Sequence, residues 1–162
     1  MALTKIADGG MPAGSVLQVV QGLKTDSAST TSTSFGNSGL AASITPSSSS
    51  SKIFVTVNTD ISQSNFQKRV HLKLTGGNTA TYIGDAGTGV ESAITAATRV
   101  NDAYGQLPTS MGYMDSPATT SAITYNVQWR VEGDTAYMNR PATLDSVGAN
   151  TASTIVLMEI AG

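Results

Sequence analysis

The sequence predicts an all-β protein: an antiparallel β-sandwich of jelly-roll type with an extended N-terminal arm. Three observations support this prediction. Apolar and polar residues alternate with a period of two over most of the chain. β-branched residues are frequent in those stretches. Gly, Ser, Asn or Asp separates them at short intervals, giving about ten short strands, a pattern typical of two packed antiparallel sheets.

The first half of the chain contains six predicted strands, each bounded by turn residues. Residues 53–57 and 70–74 alternate most regularly. In 39–44, Leu40 and Ile44 have the same parity and are predicted to face the core together. In chain order the six strands are 15–21, 32–36, 39–44, 53–57, 70–74 and 79–83.

The second half contains four more predicted strands. Residues 123–131 show the clearest alternation, and Trp129 lies in their apolar stripe, so we expect it in the core. Only 90–98 (VESAITAAT) has helical character, and so short a segment is predicted to be one turn of helix or a loop. The other three strands are 109–114, 135–138 and 153–160.

The run Ser47 to Ser51 raises the question of a linker between two domains. The roughly 45 residues before it have too few apolar positions to form a core of their own. Pro46 suits the start of a turn because it cannot donate to a ladder. The run is therefore predicted to be a turn, and residues 15–162 a single domain that follows an arm at residues 1–14.

The composition excludes several classes of protein. Only 12% of the 162 residues are charged, and nine basic and eleven acidic residues give a net charge of −2. Nucleic-acid binders need clustered Lys and Arg, and the densest basic segment, 68–73, has the pattern of one solvated strand face. We expect no nucleic-acid partner. Without cysteine the chain can form neither disulfides nor a Cys-ligated zinc site.

The sequence also predicts no membrane partner. No apolar run approaches the roughly 20 residues that cross a bilayer, and the opening "MALTKIADGG" lacks the apolar core of a secretory signal. We therefore expect a protein that does not leave its cell by the general secretory route.

Both ends of the chain carry apolar residues that one subunit does not obviously shelter. The arm is rich in Gly and Pro, yet it contains Leu3, Ile6 and Met11. It either folds back on its own subunit or docks on a neighbouring chain.

The strand 153–160 is apolar on both faces. Ile155 and Leu157 lie on one face, and Met158 lies on the other. The strand is therefore predicted to be covered on both sides, either as a central strand between core and arm or at a symmetry axis.

Four stretches together resemble a family of small virion proteins of tailed bacteriophages. They keep the order seen in that family and cover about a third of the chain. They are GSVLQVVQ (14–21), GLAASITPSSSSSKIFVTVN (39–58), YMDSPATTSAITYNVQWR (113–130) and STIVLMEIAG (153–162). The resemblance implies a trimeric, jelly-roll-like module on the outside of a virion, as a capsid cement protein or as the tip of a tail fibre, made in the host cytoplasm.

The short arm favours the cement role, because a fibre tip follows a long shaft in that family. We therefore expect a homotrimer that binds the major capsid protein on the outer capsid surface and stabilises the shell. Leu3, Ile6 and Met11 are the candidate capsid contacts. The candidate trimer contacts are Ile155, Leu157 and Met158. The alternatives are a receptor-binding fibre tip and a soluble lectin-like or enzymatic module.

Catalytic chemistry finds little support in the sequence. His71 is the one histidine, and it lies among cationic residues, where a surface position is expected and a triad base is not. Five carboxylates in predicted loops could converge, but nothing in their spacing indicates a catalytic pair. They are Asp85, Glu91, Asp102, Asp115 and Asp145.

The sequence also gives little evidence for a metal-binding or sugar-binding site. The segment 85–89 (DAGTG) lacks the repeated ligands of a Ca²⁺ loop and is predicted to be a glycine turn. Tyr104, Tyr113 and Tyr137 suit a sugar-stacking surface or a protein interface equally well. We therefore expect no enzymatic activity, no cofactor and no metal.

Overall fold

The computed structural model describes residues 11–65, 67–76, 79–83, 96–99, 105–143 and 149–162. It confirms the all-β class. These ranges contain eleven strands and no helix. The strands are β1 (Val16–Lys24), β2 (Ala28–Thr30), β3 (Gly36–Ile44), β4 (Lys52–Gln63), β5 (Val70–Gly76), β6 (Thr79–Ile83), β7 (Ala96–Thr98), β8 (Leu107–Asp115), β9 (Ile123–Val131), β10 (Ala136–Met138) and β11 (Ser153–Ile160).

The described strands form two antiparallel sheets. In the first, which we call the front sheet, β4 pairs over residues 53–58 with both β11 and β8, so those two strands flank it. The strand β1 lies beyond β11, while β10 and β2 continue the sheet from the last residues of β4. The back sheet has the order β3-β9-β5-β6, with β7 also paired to β5.

One hydrophobic core fills the space between the sheets. The alternation in β9 places Tyr125, Val127 and Trp129 inside, which confirms the prediction for Trp129. Leu40 and Ile44 face the same core, as their parity predicts. Because the two sheets contribute alternate residues of long strands, most of the apolar side chains in the core come from β3, β4, β5, β9 and β11.

Two local predictions are wrong. Residues 32–35 are not a strand, because serine side chains bond to the nearby backbone: Ser32 Oγ donates to the Ser34 carbonyl at 2.7 Å and accepts from the Ser34 amide at 3.1 Å. A short strand, β2, lies just before this segment. Residues 96–98 form β7, paired with β5, and the rest of the segment 90–98 lies outside the described residues.

The serine run is a turn, as predicted. It follows β3 of the back sheet and leads into β4 of the front sheet, so it crosses from one sheet to the other within the sandwich. The Ser51 amide donates to the Ser48 carbonyl at 3.2 Å, which closes the turn. The turn is further held by Glu159 of β11, whose carboxylate accepts hydrogen bonds from Ser47.

Candidate functional site

The candidate site is the solvent side of four adjacent strands of the front sheet, in the order β1-β11-β4-β8. We call it the outer face. Side chains alternate between core and solvent along each strand, and residues paired across strands share a side. The outer face comprises Val16, Val19, Gln21 and Leu23 of β1, Thr154, Val156, Met158 and Ile160 of β11, Lys52, Phe54, Thr56, Asn58 and Asp60 of β4, and Pro108, Ser110, Gly112 and Met114 of β8.

A continuous row of large apolar side chains crosses this face. Val19 pairs with Met158, Met158 with Phe54, and Phe54 with Met114, so each side chain has its neighbour directly beside it on the next strand. Val19 is 56% exposed and Met114 is 44% exposed, while Phe54 and Met158 are half-buried within the row. Four strands distant in sequence therefore build one apolar stripe, which we call the apolar row.

Apolar residues predominate at one end of the face, although Leu23 at the opposite end is also 61% exposed. Beyond the apolar row, Val16 pairs with Ile160 and Ile160 with Lys52, so two of these three residues are apolar as well. Val16 is 50% exposed. Toward the opposite end, Asn58 pairs with Ser110, and the Ser110 hydroxyl lies 2.7 Å from the side-chain oxygen of Asn58.

Such a face is unusual on an isolated subunit. A sheet that faces water on one side shows polar residues there, and contiguous exposed apolar patches of a few hundred Å² mark interaction sites. Burial of one such side chain stabilises by roughly 1.5–3 kcal/mol. The outer face is thus the part of the described surface best suited to bind another protein.

The chain enters the sandwich at this apolar end. The Gly14 amide donates to the carbonyl of Ala161 at 2.8 Å, and the Ala161 amide donates to the carbonyl of Ser15 at 2.8 Å. These bonds extend the ladder between β1 and β11 and place the half-buried Met11 near the apolar end. The other two candidate arm contacts, Leu3 and Ile6, lie outside the described residues.

The structure separates the three candidate trimer contacts. Ile155 and Leu157 are completely buried in the core of their own subunit, because β11 is a central strand whose inward residues meet the back sheet. They are therefore not accessible to a second chain. Met158 points the other way and belongs to the apolar row. The alternation shows that β11 has two apolar faces, but the assignment of the exposed one requires the tertiary structure.

The expectation of a surface position for His71 is wrong. It is 1% exposed, with Nε2 lying 3.2 Å from Glu132 Oε1 and Nδ1 lying 3.3 Å from Arg130 Nη2. Glu132 also accepts a hydrogen bond from the Arg69 amide at 3.0 Å. Burial alone would raise the pKa of Glu132, but the hydrogen bonds from Arg69 and His71 lower it. The long side chains around His71 therefore enclose it in a polar network.

Of the candidate carboxylates, Asp115 alone lies within the described residues. It accepts a hydrogen bond from the buried Tyr125 hydroxyl at 2.6 Å, and burial together with this bond raises the pKa of Tyr125. In the described part of the chain no group of three or more His, Asp or Glu side chains is placed to hold a metal ion. The segment 85–89, suggested as a glycine turn, falls outside it.

The candidate aromatic residues do not form one surface. Tyr113 is 38% exposed on the edge strand β8, and Tyr104 is outside the described residues. Tyr137 lies at the far end of the front sheet, where the Arg140 guanidinium stacks 4.2 Å from its ring centre. A pocket of about 100 Å³ lies there, lined by Ser27, Ala28, Ser29, Tyr137 and Arg140. It is smaller than the ~300 Å³ at which ligand pockets begin.

The geometry thus defines a β-sandwich protein with an apolar outer face suited to assembly. No family model and no curated protein matches the chain. Its fold is similar to a solved structure of infectious bursal disease virus, Gt strain, with a TM-score of 0.50 and 12% identity over 90% of this chain and 38% of that chain. A mutant VP2 protein of the same virus, in derived T=1 particles, gives a TM-score of 0.43 and 11% identity over 90% of this chain and 36% of that chain.

This chain therefore spans well under half the length of those viral chains. At such low identity the likeness shows the fold alone, a β-sandwich of a kind that also occurs in a virus. The described residues include no helix long and apolar enough to cross a membrane.

Proposed function

We propose that this chain is a structural protein of a virus particle: a capsid cement protein of a tailed bacteriophage, bound to the outer capsid surface as a homotrimer. The observation that carries the proposal is the outer face, since a sheet with an exposed apolar row belongs in a larger assembly. The fold shared with a viral structure and the four sequence segments that resemble phage virion proteins support a virion role.

The mechanism follows from linked equilibria. A protein that binds only the assembled shell stabilises that shell by its binding free energy, about 2.7 kcal/mol when its free concentration is 100 times its Kd. Three connected copies strengthen the attachment, because the first bound subunit raises the effective concentration of the other two. No bond is made or broken in this process, so the function requires no cofactor.

In this proposal two different parts of the chain contact the capsid and the sister subunits. The arm residues Leu3, Ile6 and Met11 bind the major capsid protein, and Met158 in the apolar row contacts sister subunits. The arm joins the sandwich where Gly14 bonds to Ala161, next to the apolar end of the outer face. A subunit that contacts its sister subunits through a sheet face can use its N-terminal arm for the separate contact with the shell.

The test is deletion of residues 1–10, which keeps the Gly14 bond to Ala161. We expect the truncated protein to keep its far-UV circular dichroism and its mass in solution, and to lose binding to purified capsids in a co-sedimentation assay. The matched point variants are Leu3→Ser with Ile6→Ser, expected to weaken capsid binding, and Thr4→Ser with Lys5→Ser, expected to leave it unchanged. Normal decoration of shells by the truncated protein would exclude the arm as the capsid contact.

The second candidate function is a receptor-binding tip of a tail fibre. It would use the surface around Tyr137 and Arg140, where hydroxyl and guanidinium groups line a small pocket and can hydrogen-bond to a sugar. This function predicts that the isolated protein adsorbs to host cells and that Tyr137→Ala abolishes adsorption. Labelled antibody distinguishes the two roles, because cement copies cover the head and tip copies lie at the tail. Turnover or binding of free oligosaccharide would instead support a lectin-like or enzymatic module.

A further inference from the structure

We infer that the partner of the outer face is a second copy of this chain, related to the first by a rotation axis that runs along the strands. This inference rests on the proposed assembly function and specifies the partner and the geometry of one of its contacts. Three properties of the face support it: its distribution of charge, the heights of its apolar residues along the strands and its size.

The outer face is almost uncharged. Its two ionisable residues, Lys52 and Asp60, lie at opposite ends of the same strand, β4. The face therefore has no charged region that an acidic or a basic partner would complement. Interfaces between identical subunits are more apolar than those between proteins that meet transiently. A second outer face is therefore the partner whose chemistry matches.

The position of each side chain along the strand direction, which we call its height, decides between two kinds of symmetry axis. An axis parallel to the strands leaves heights unchanged, so the apolar row of one copy meets the apolar row of the next. An axis across the strands keeps the whole face in contact only if it passes at its middle, Thr56, and it then exchanges the two ends of the face. It would lay Phe54 of one copy on Asn58 of the other, four residues or about 13 Å away along the strand.

The axis across the strands has one favourable feature, but its contribution to the free energy of association is too small to decide. An axis across the strands at Thr56 would bring Lys52 of one copy close to Asp60 of the other. An exposed ion pair contributes about 0–1 kcal/mol. Full burial of a large apolar side chain contributes roughly 1.5–3 kcal/mol, and each copy adds four partly exposed ones from the apolar row, whose summed share exceeds that of the ion pairs. The axis along the strands therefore gives the more stable assembly.

The face is large enough for this role. Four strands about 4.8 Å apart and nine residues long cover roughly 500 Å² in projection, and the relief of the side chains increases the accessible area. This approaches the ~600 Å² that each partner contributes at the lower end of stable interfaces. Copies arranged in a ring place the β8 side of one subunit against the β1 side of the next.

The natural sequence contains no cysteine, so pairs of single-cysteine variants can test the geometry directly. Two packed sheets lie about 10 Å apart, too far for a disulfide, and a short bismaleimide of matching reach is the appropriate cross-linker. Val19→Cys and Met114→Cys, at equal heights on β1 and β8, are co-expressed as one pair. Met114→Cys and Ser110→Cys, at unequal heights on β8, are the matched control pair, because an axis across the strands at Thr56 would bring these two positions together.

We expect the equal-height pair to form covalent dimers and the unequal-height pair to give at least tenfold less. The reverse pattern would overturn the axis along the strands. Absence of cross-links in both pairs, together with the mass of one copy by light scattering, would overturn the inference, including the case in which residues 1–10 cover their own face. All three substituted positions are on the solvent side, so the fold is retained.

A charge at the centre of the row gives an independent readout. Met158→Lys is expected to reduce the mass in solution to one copy, and Ser110→Lys, at the polar end, to leave the wild-type mass. If Met158→Lys keeps the oligomer but loses capsid binding, the outer face contacts the capsid and the inference fails while the cement function stands. If the wild-type protein does not bind capsids but the equal-height cysteine pair cross-links, the cement function fails and the inference stands.

Discussion

The carboxylate of Glu159 in β11 accepts hydrogen bonds from both the amide and the hydroxyl of Ser47, which lies 112 residues earlier in the chain. The two distances are 2.7 and 2.6 Å, and the Gln18 side chain donates to the other carboxylate oxygen at 2.5 Å. Glu159 is completely buried. One buried charge, surrounded by neutral donors, thus joins the serine turn, the start of β1 and the end of β11.

Replacement of this carboxylate is expected to destabilise the sandwich. In Glu159→Gln the amide nitrogen faces groups that are themselves donors, and a hydrogen bond to a buried charged group contributes about 1.5–3 kcal/mol. We expect the free energy of unfolding to fall by about 2–3 kcal/mol, measured by urea denaturation. Ser50→Ala, in the exposed part of the same turn, is the matched control and should change it by less than about 0.5 kcal/mol. Equal effects of the two substitutions would show that Glu159 does not anchor the turn.

The same residue predicts a dependence of stability on pH. Burial by itself would raise the pKa of Glu159, but the hydrogen bonds from Ser47 and Gln18 outweigh it and hold the pKa below its usual value. The stabilisation is therefore fully present above the unfolded pKa of about 4.3 and is lost as pH falls through the lower folded pKa. The free energy of unfolding should fall below about pH 5. The fall should be less steep in Glu159→Gln. Asp26 and Glu132, whose pKa values are also lowered, contribute the same pH dependence to both proteins. Parallel curves for the two would contradict this.

Gly22 of β1 is predicted to tolerate no side chain. A Cβ there would overlap the carbonyl oxygen of Ala41 in β3 and lie 2.8 Å from Cγ2 of Ile155, because the two sheets approach closely at this edge. Gly22→Ala should destabilise by about 1–3 kcal/mol, the usual cost of overpacking. Gly36→Ala is the matched control, since a Cβ there meets nothing within 4 Å. Its effect on the thermal midpoint should be neutral or positive, and a similar loss in both variants would rule out the steric explanation.

Asn139 is predicted to be the most sensitive polar residue of the described core. It has a φ of 62°, a backbone conformation that asparagine accepts more readily than most residues. Its side-chain nitrogen donates to the carbonyls of Lys24 and Asp26 at 2.9 and 3.1 Å, and its oxygen accepts from Ser153 at 2.5 Å. Asn139→Asp removes both donations and sets a buried carboxylate against two carbonyls, so a loss of about 3 kcal/mol is expected by chemical denaturation.

A control variant separates the effect of the positive φ at Asn139 from the effect of its side-chain hydrogen bonds. Ala118 has a φ of 51° in an exposed loop, and Ala118→Gly should be neutral or stabilise by up to about 1 kcal/mol. Asn139→Gly relieves the same type of strain but loses three hydrogen bonds, and it should still destabilise. A stabilising Asn139→Gly would mean that the backbone conformation, and not the side-chain bonding, dominates at this position.

Much of the fold was predictable because alternation is a local property of the chain. The stripe through Trp129 and the parity of Leu40 and Ile44 identify core residues without knowledge of their partners, and all three are buried. Prediction failed where contacts between distant residues dominate. His71 has the pattern of a surface residue, yet Glu132 and Arg130 enclose it, and those contacts depend on how β5 and β9 pair.

The sequence by itself determined that this protein is a β-sandwich and that β11 is apolar on both sides, since period-two patterning follows directly from strand geometry. Only the tertiary structure decided which side of β11 remains outside. It also assembled Val19, Met158, Phe54 and Met114 into one row. The physical reason is register: neighbours on a sheet are chosen by pairing between strands that are far apart in the chain, and no local pattern encodes that choice.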